Sequence, residues 1–284
     1  GQDVVKTTSK YVNKMYVKKL NELNADFDKD TDYVIYNDTD SCYLSTEVFH
    51  PYLNIGDDEA ALKQFTIDWA TEVETAVNGF YDAMASNLFF CNKHRFFIKG
   101  ESVARSAFWL EKKRYAYHKI YDLDKKKDTD SITVKGLDVV RSSFPVAFRK
   151  FMLEIVTDIL NFAEKSVIDK KLLDFKAQLA DIPVEDIAKA TSVKDLSDYD
   201  SKDASLTAFQ KGTPAHVKAA LVYNRMLKKL KAKSIAPIRN GDKILWIYTK
   251  TNQYGLEQIA IKGFEDPPEI LAFVKEHIDL EHHF

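Results

Sequence analysis

Residues 33–44 read YVIYNDTDSCYL, which is two short apolar runs separated by an acidic segment. The first run, Tyr33 to Tyr36, is rich in residues that favour β-strands, and the second is Ser41 to Leu44. The polar segment between them, Asn37 to Asp40, has the composition of a tight turn. The pattern therefore predicts a β-hairpin over residues 33–45 with acidic side chains at its bend.

The bend contains two aspartates, Asp38 and Asp40, which are two positions apart. Side chains alternate across a strand, so this spacing allows both carboxylates to point to one side. Two converging carboxylates repel unless a cation is present, and hard oxygen ligands favour Mg²⁺. The same segment also fits a solvated turn without a metal, because Asn and Asp are favoured in turns. The spacing by itself leaves both interpretations open.

Around the hairpin, the sequence predicts an α+β domain. Apolar residues at helical spacing indicate helices over residues 3–23 and 57–91. Short β-forming runs predict strands at residues 96–98, 106–109, 114–117 and 132–135. We expect residues 1–136 to place helices against an antiparallel sheet.

From Phe144 onward the pattern is mainly helical, so the second predicted domain covers residues 137–284. Helices are predicted from Pro145, over residues 217–230, and from Pro267 to near Phe284. A strand pair is predicted at residues 244–248 and 258–262, and residues 183–210 are predicted to be irregular.

The composition is that of an ordinary globular protein: 45% of the 284 residues are hydrophobic and 30% are charged. The net charge of −2 means that any nucleic-acid site must be a local basic patch. Cys42 and Cys91 lie in apolar stretches, which favours two buried thiols in a reducing compartment over a disulfide. No apolar run approaches the ~18 to 20 residues that span a membrane, and residues 1–3 do not begin a secretory signal. We therefore expect a soluble cytoplasmic protein without membrane partners.

A second short motif, Lys112-Lys113-Arg114-Tyr115, places three cations before an aromatic residue. Lys and Arg neutralise phosphates, and a neighbouring Tyr can contact a sugar or a base edge. Three consecutive cations are also typical of a solvated face. The residues alone do not decide between these interpretations.

The segment from Tyr36 to Ser41 resembles motif C of family B DNA polymerases, Tyr-Gly-Asp-Thr-Asp-Ser. In that family the motif caps a hairpin of the palm domain and binds the catalytic metals. Asn37 replaces the usual Gly, and we expect the turn to be kept because Asn tolerates left-handed backbone. The resemblance implies that Asp40 is the essential ligand and Asp38 a supporting one. It also implies a two-Mg²⁺ site completed by another polypeptide or segment.

The run from Lys112 to Tyr115 is similar to the Lys-Lys-Arg-Tyr motif of the T-even bacteriophage branch, which holds the primer–template duplex near the primer end. Weaker matches follow in order along the chain, at residues 108–109, 134–137, 141–145, 214–217 and 221–225. The resemblance runs from Gly1 to about Ile278, and it implies the host cytoplasm as the location if the chain is phage-encoded. It implies DNA contacts by Lys112, Lys113, Arg114, Tyr115, Lys135, Ser142, Ser143, His216 and Arg225.

Two features, the cations of residues 225–233 and Glu101, can have either a functional or a purely structural role. The cations of residues 225–233 fit a phosphate-tracking edge and an exposed helix end equally well. Glu101 occupies a place where the family has an acidic residue near the active site, but a plain Glu at the end of a strand is the preferred interpretation. His277, His282 and His283 lack a partner cluster with metal spacing and are expected at the surface.

Polymerisation also needs motif A, motif B and groups that bind the incoming triphosphate, and the first two patterns are absent from the sequence. The resemblance thus implies the C-terminal part of the palm, residues 1–136, and the thumb, residues 137–284, of a DNA-directed DNA polymerase. Its expected partners are primer–template DNA, a dNTP, and an N-terminal part with the exonuclease and motifs A and B. Binding of a sliding clamp is not expected. The alternative is a non-catalytic duplex-DNA-binding module or accessory subunit.

Overall fold

The computed structural model describes residues 2–28, 30–88, 90–91, 93–201, 203 and 205–283. The resemblance begins at Gly1, and the last predicted helix ends near Phe284. Both residues lie outside the described part of the chain. The chain divides into two compact units, residues 1–135 and residues 136–284. The assignment of these units to palm and thumb stays a prediction.

Two long helices build the core of the first unit: α1 (Gln2–Glu22) and α2 (Glu59–Asn87). Each buries one side at intervals of about four residues, as an amphipathic helix requires. The buried residues are Val12, Tyr16 and Leu20 of α1, and Trp69, Val73, Val77 and Tyr81 of α2. A hydrogen bond of 2.8 Å joins the Thr8 and Tyr81 hydroxyls between the helices. Both predicted helices are confirmed.

The strands of the first unit form two antiparallel sheets. The predicted hairpin is confirmed as β1 (Val34–Asp38) and β2 (Ser41–Leu44). The second sheet has the order β3 (Ser102–Glu111), β4 (Arg114–Asp122) and β5 (Lys127–Lys135). The unit is therefore α+β, as predicted.

Two predictions for the first unit are wrong. Residues 96–98 are not a strand, because the backbone of Ile98 pairs with a side chain: Asn78 accepts from Ile98 N–H (3.0 Å) and donates to Ile98 C=O (2.9 Å). Phe97 is correspondingly 71% exposed. Cys42 is half-buried but Cys91 is exposed, so the thiols are not both buried.

The second unit contains most of the remaining helices and one antiparallel sheet. The helices are α3 (Val146–Leu160), α4 (Lys165–Gln178), α5 (Val184–Ile187), α6 (Leu196–Tyr199), α7 (Ala215–Lys229), α8 (Pro268–His277) and α9 (Leu280–His283). The sheet has the order β6 (Lys189–Ser192), β7 (Lys243–Tyr248) and β8 (Gln258–Ile261). All four residues of β8 are buried, and α7 packs against them. The predicted helix over 217–230 and the predicted strand pair are confirmed.

The second unit also departs from the predictions. Residues 183–210, predicted to be irregular, contain β6, which pairs with β7 along its whole length. The last helix is interrupted at Ile278, whose backbone forms a β-bridge with Thr249. His283 is partly buried and accepts a hydrogen bond from Tyr248 N–H (3.1 Å), so it is not a plain surface residue. Burial lowers the pKa of its imidazole to about 4. His277 is also largely covered, at 14% side-chain exposure, whereas His282 is exposed.

No helix in the described part of the chain is long and apolar enough to cross a membrane.

Candidate active site

The acidic bend, residues 38–41, closes the first hairpin in two residues. Asp38 and Ser41 are strand partners, and Thr39 and Asp40 form the turn between them. Thr39 takes the left-handed conformation, with φ of 55°, and Asp40 N–H donates to Asp38 C=O (2.6 Å). The chain thus reverses at the residue between the two aspartates.

Asn37 does not shape this turn as predicted. It lies within β1 opposite Cys42, so it has extended backbone, and the left-handed residue is Thr39. Its amide donates instead to the Ser9 hydroxyl of α1 (3.2 Å). The Asn37 side chain, at the position where the family motif has Gly, therefore links the end of β1 to α1.

The two carboxylates of the bend have different surroundings. Strand alternation does not relate them, because β1 ends at Asp38 and Asp40 lies in the turn. The Asp38 carboxylate accepts from the Lys113 ammonium at 2.6 Å and from the Thr39 hydroxyl at 3.2 Å. These donors, the ammonium first, hold the pKa of Asp38 below its usual value. Asp40 is exposed at the tip of the bend.

The basic turn, Lys112 and Lys113, joins β3 to β4 and meets the acidic bend. Lys113 has a positive φ of 64°, and its backbone N–H donates to the Tyr36 hydroxyl at 2.8 Å. Its side chain reaches Asp38, which in turn raises the pKa of the Lys113 ammonium. Lys112 is exposed, and Arg114 pairs with Glu111 at 2.9 Å. The structure thus brings together the two motifs that the sequence singled out.

Tyr115 points into an aromatic cluster instead of solvent. It is 6% exposed, and its hydroxyl is 2.7 Å from that of Tyr43. The cluster consists of Tyr36, Tyr43, Trp109 and Tyr115. Tyr36, Tyr43 and Trp109 were not predicted from the sequence as site residues. The signal was present, since each hairpin carries an aromatic pair at matched positions near its turn.

The other predicted DNA contacts lie at scattered places within their own units. Lys135 is exposed at the end of β5, opposite Tyr115 in the sheet. Ser142 and Ser143 are exposed in the turn before α3. His216 is half-buried in the first turn of α7, and this burial lowers the pKa of its imidazole.

Arg225 is a core residue of the second unit, with 7% exposure. Its guanidinium donates to the carbonyls of Ser205 and Ala208, both at 2.7 Å, and pairs with the Asp200 carboxylate. It also lies 5.1 Å from the ring centre of Phe209. These partners occupy the donors with which an arginine binds phosphate, so a DNA contact by Arg225 is not supported.

The remaining open features keep their two interpretations. Lys228 and Lys229 are exposed at the end of α7, and the ammonium of Lys229 lies 4.1 Å from the ring centre of Tyr254. Glu101 is exposed and directly precedes β3, and its carbonyl accepts from Leu123 N–H at 3.1 Å. These positions fit both a functional role and a purely structural role.

The oxygen donors at the bend fit a divalent cation only in part. Asp38 and Asp40 are hard ligands of the type that Mg²⁺ prefers, and Asp40 is open to solvent. Within the described ranges, no three His, Cys, Asp or Glu side chains are grouped so that they could hold a metal ion. The bend therefore offers a partial ligand set that needs donors from elsewhere.

The chain is similar to known proteins at two levels, a family model and an individual relative. The family model described as DNA polymerase family B matches residues 1–284. A DNA-directed DNA polymerase of Enterobacteria phage T4 is 30% identical to this chain over 175 residues, which is 61% of the chain and 18% of that polymerase. The chain thus spans less than a fifth of the length of the curated relative that it matches.

Proposed function

The chain belongs to DNA polymerase family B, and from that premise we propose that it contributes a metal-binding carboxylate and primer–template contacts to a phage-like DNA-directed DNA polymerase. One observation carries the proposal. The basic turn lies directly on the acidic bend, through Lys113 N–H to the Tyr36 hydroxyl (2.8 Å) and the Lys113 ammonium to Asp38 (2.6 Å). This adjacency supports the proposal, because cations of the type that bind phosphates lie beside carboxylates of the type that hold the metal ions of phosphoryl transfer.

The two aspartates have separate roles in this proposal. Asp38 is neutralised by Lys113 and aligns the basic turn, whereas the exposed Asp40 is the principal metal ligand. Divalent cations, Mg²⁺ in our proposal, supply activation of the primer 3′-hydroxyl and neutralisation of the leaving pyrophosphate when bound. The incomplete ligand set agrees with a site that a second segment completes.

The cations of the basic turn and the adjacent Arg114 hold the primer end in this proposal. Lys112 is exposed, and the half-buried Arg114, which pairs with Glu111, follows the turn at the start of β4. Lys135 is exposed at the same end of the sheet, on β5 opposite Tyr115. We propose these three, with Lys113, as the primer-terminus contacts of the first unit.

The wider organisation is also a proposal. The first unit corresponds to the C-terminal part of the palm and the second to the thumb, with duplex contacts from Ser142, Ser143 and His216. The motif A aspartate, the motif B lysine and the exonuclease come from an N-terminal polymerase segment, since neither motif pattern occurs in this sequence. The substrates of the assembled enzyme are primer–template DNA and dNTPs.

One observation favours the alternative of a duplex-binding module without catalysis. The ammonium of Lys113 already occupies an oxygen of Asp38, as it would in a site that no longer binds metal. In that case the chain grips DNA but adds nothing to nucleotide transfer.

Reconstitution separates the two functions. The chain mixed with the N-terminal segment of its own polymerase is expected to extend a primer in Mg²⁺, while neither component extends it alone. Duplex binding by the chain with no extension by the mixture would favour the binding module.

The primer contacts have their own test, the salt dependence of primer–template affinity. Arg114→Ala removes a proposed phosphate contact, so we expect weaker binding and a salt slope shallower by about one charge. Arg105→Ala is the matched control, because Arg105 lies on β3 away from the turn and pairs with Glu59. A slope that Arg114→Ala leaves unchanged would remove Arg114 from the contacts.

A further inference from the structure

The acidic bend and the basic turn are held together by aromatic residues. Tyr36 and Tyr43 are direct partners in the first hairpin, and Trp109 and Tyr115 are direct partners in the β3–β4 hairpin. The rings of Tyr43 and Tyr115 meet edge to face with centres 5.3 Å apart, and Tyr43 meets Trp109 in the same way at 5.6 Å. Two cross-strand aromatic pairs therefore pack against each other, which is a favoured way to join sheets.

A single hydroxyl pair provides a directional bond within this packing. The Tyr43 and Tyr115 hydroxyls are 2.7 Å apart, and either one can donate. Burial, with the Tyr115 hydroxyl, raises the pKa of Tyr43 well above its usual value, so the Tyr43 hydroxyl keeps its proton. Because ring packing tolerates sliding and a hydrogen bond does not, the hydroxyl pair fixes the relative register of the two hairpins.

We propose that Tyr43 and Tyr115 are a positioning pair that aligns the acidic bend with the basic turn. The inference rests on the proposed function, and it gives Tyr115 a role other than a DNA contact. Tyr115 lies two residues after Lys113, and Tyr43 lies opposite Tyr36, whose hydroxyl accepts from Lys113 N–H. The Tyr43–Tyr115 pair thus joins the two hairpins that carry Asp38 and Lys113. It sets the positions from which these two side chains form their ion pair.

The first test needs no catalysis and uses the full chain. Tyr115→Phe keeps the ring and removes the hydroxyl on β4, so amide hydrogen exchange is expected to speed up on the other hairpin, at residues 36–43. A lost hydrogen bond of ordinary strength corresponds to roughly fivefold faster exchange. Tyr52→Phe is the matched control, because it removes a tyrosine hydroxyl bonded to the Asp26 carbonyl (2.8 Å) outside the cluster. Unchanged exchange at residues 36–43 in Tyr115→Phe would overturn the proposal.

The second test asks whether the pair serves the metal site or only the fold. In the reconstituted polymerase, Tyr43→Phe and Tyr115→Phe are each expected to raise the Mg²⁺ concentration for half-maximal extension by roughly fivefold. The double variant should be no worse than either single variant, because both remove the same bond. The primer–template Kd should stay within about twofold of wild type, since the cations of the basic turn remain.

Other outcomes are equally decisive. A raised primer–template Kd in Tyr115→Phe, with wild-type behaviour in Tyr43→Phe, would show that Tyr115 contacts DNA directly and would overturn the positioning role. If the wild-type mixture does not extend primers at all, the proposed function fails, and the exchange measurement still decides whether the pair joins the hairpins.

Discussion

At the scale of single residues, Lys113 makes the most consequential contacts. Its left-handed backbone turns the N–H toward Tyr36, and its side chain, 60% exposed, lies against Asp38. A residue in this conformation is uncommon unless it is Gly, Asn or Asp, so the tertiary contacts over-determine it. The strain is stored where the two motifs meet.

Replacing Lys113 by Gln should raise the pKa of Asp38 back toward the ordinary value. The pKa of Asp38 is lower in the folded protein than in the unfolded chain. The ion pair therefore stabilises the fold at pH values above the pKa of the unfolded chain, and this stabilisation is lost as the pH falls through the pKa of the folded protein. Carboxyl carbon NMR over an acid titration measures this shift. Lys112→Gln is the control and should shift Asp38 less, since Lys112 acts only through space. If Asp38 titrates identically in Lys113→Gln and wild type, the ion pair is not formed in solution.

Candidate site residues could be found from the sequence, but the burial and the contacts of their side chains could not. The Asp-Thr-Asp bend and the Lys-Lys-Arg-Tyr run were found because their order is specific. The burial of Arg225 was not, because it depends on Asp200, Ser205 and Ala208, whose approach only the folded chain creates. The burial of Tyr115 could not be foreseen for the same reason: its partner Tyr43 is 72 positions away.

At the scale of elements, α2 shows how a local signal fixes a boundary. Asp58 is its N-cap, and the carboxylate accepts from Ala60 N–H (2.9 Å) and Ala61 N–H (3.1 Å). These bonds satisfy backbone donors that have no partner within the helix. The helix ends at Asn87, and the side chain of Asn78 within it bonds the backbone of Ile98.

Asp58→Ala should lower the free energy of unfolding by about 1 kcal/mol, the usual cost of losing an N-cap. Urea denaturation followed by circular dichroism measures the change. The neighbouring Asp57→Ala removes a carboxylate without removing the cap, so its effect should be within about 0.5 kcal/mol of zero. Equal destabilisation by the two variants would mean that Asp58 does not cap the helix.

The elements that sequence missed lack a local pattern. Strand β6 reads Lys189-Ala-Thr-Ser, with no apolar alternation, and it exists because β7 offers an edge to pair with. Conversely, Phe96 to Ile98 has strong strand propensity, but the Asn78 amide takes the backbone groups that a strand would need. Tertiary pairing overrode propensity in both places.

At the scale of the whole molecule, each of the two units has its own hydrophobic core. The boundary predicted near Gly136 differs by one residue from the observed division. A mainly helical second domain was foreseen, but the three-stranded sheet against which α7 packs was foreseen only as a strand pair. How the units serve a polymerase is the proposal that functional assays decide.

Arg225→Ala tests the structural role that the second unit gives this residue. Removing it leaves two carbonyls and a carboxylate without their donor, so we expect a loss of about 3 kcal/mol in unfolding free energy. Urea denaturation followed by circular dichroism measures the loss, and primer–template binding is expected to stay at the wild-type value. Lys228→Ala, on the exposed side of the same helix, should be nearly neutral for stability. A stable Arg225→Ala protein with weakened DNA binding would restore Arg225 to the duplex contacts.

The central claim is that the acidic bend supplies a catalytic carboxylate, and Asp40→Asn tests it most directly. The measurement is the single-turnover rate of nucleotide incorporation by the chain reconstituted with its N-terminal segment, alongside primer–template affinity. We predict a fall of about 10³-fold, equivalent to about 4 kcal/mol, with unchanged affinity, because the substitution removes a metal ligand and leaves the basic turn intact. Asp30→Asn, an exposed aspartate elsewhere in the unit, should incorporate at the wild-type rate. An Asp40→Asn rate within about twofold of wild type would contradict the claim.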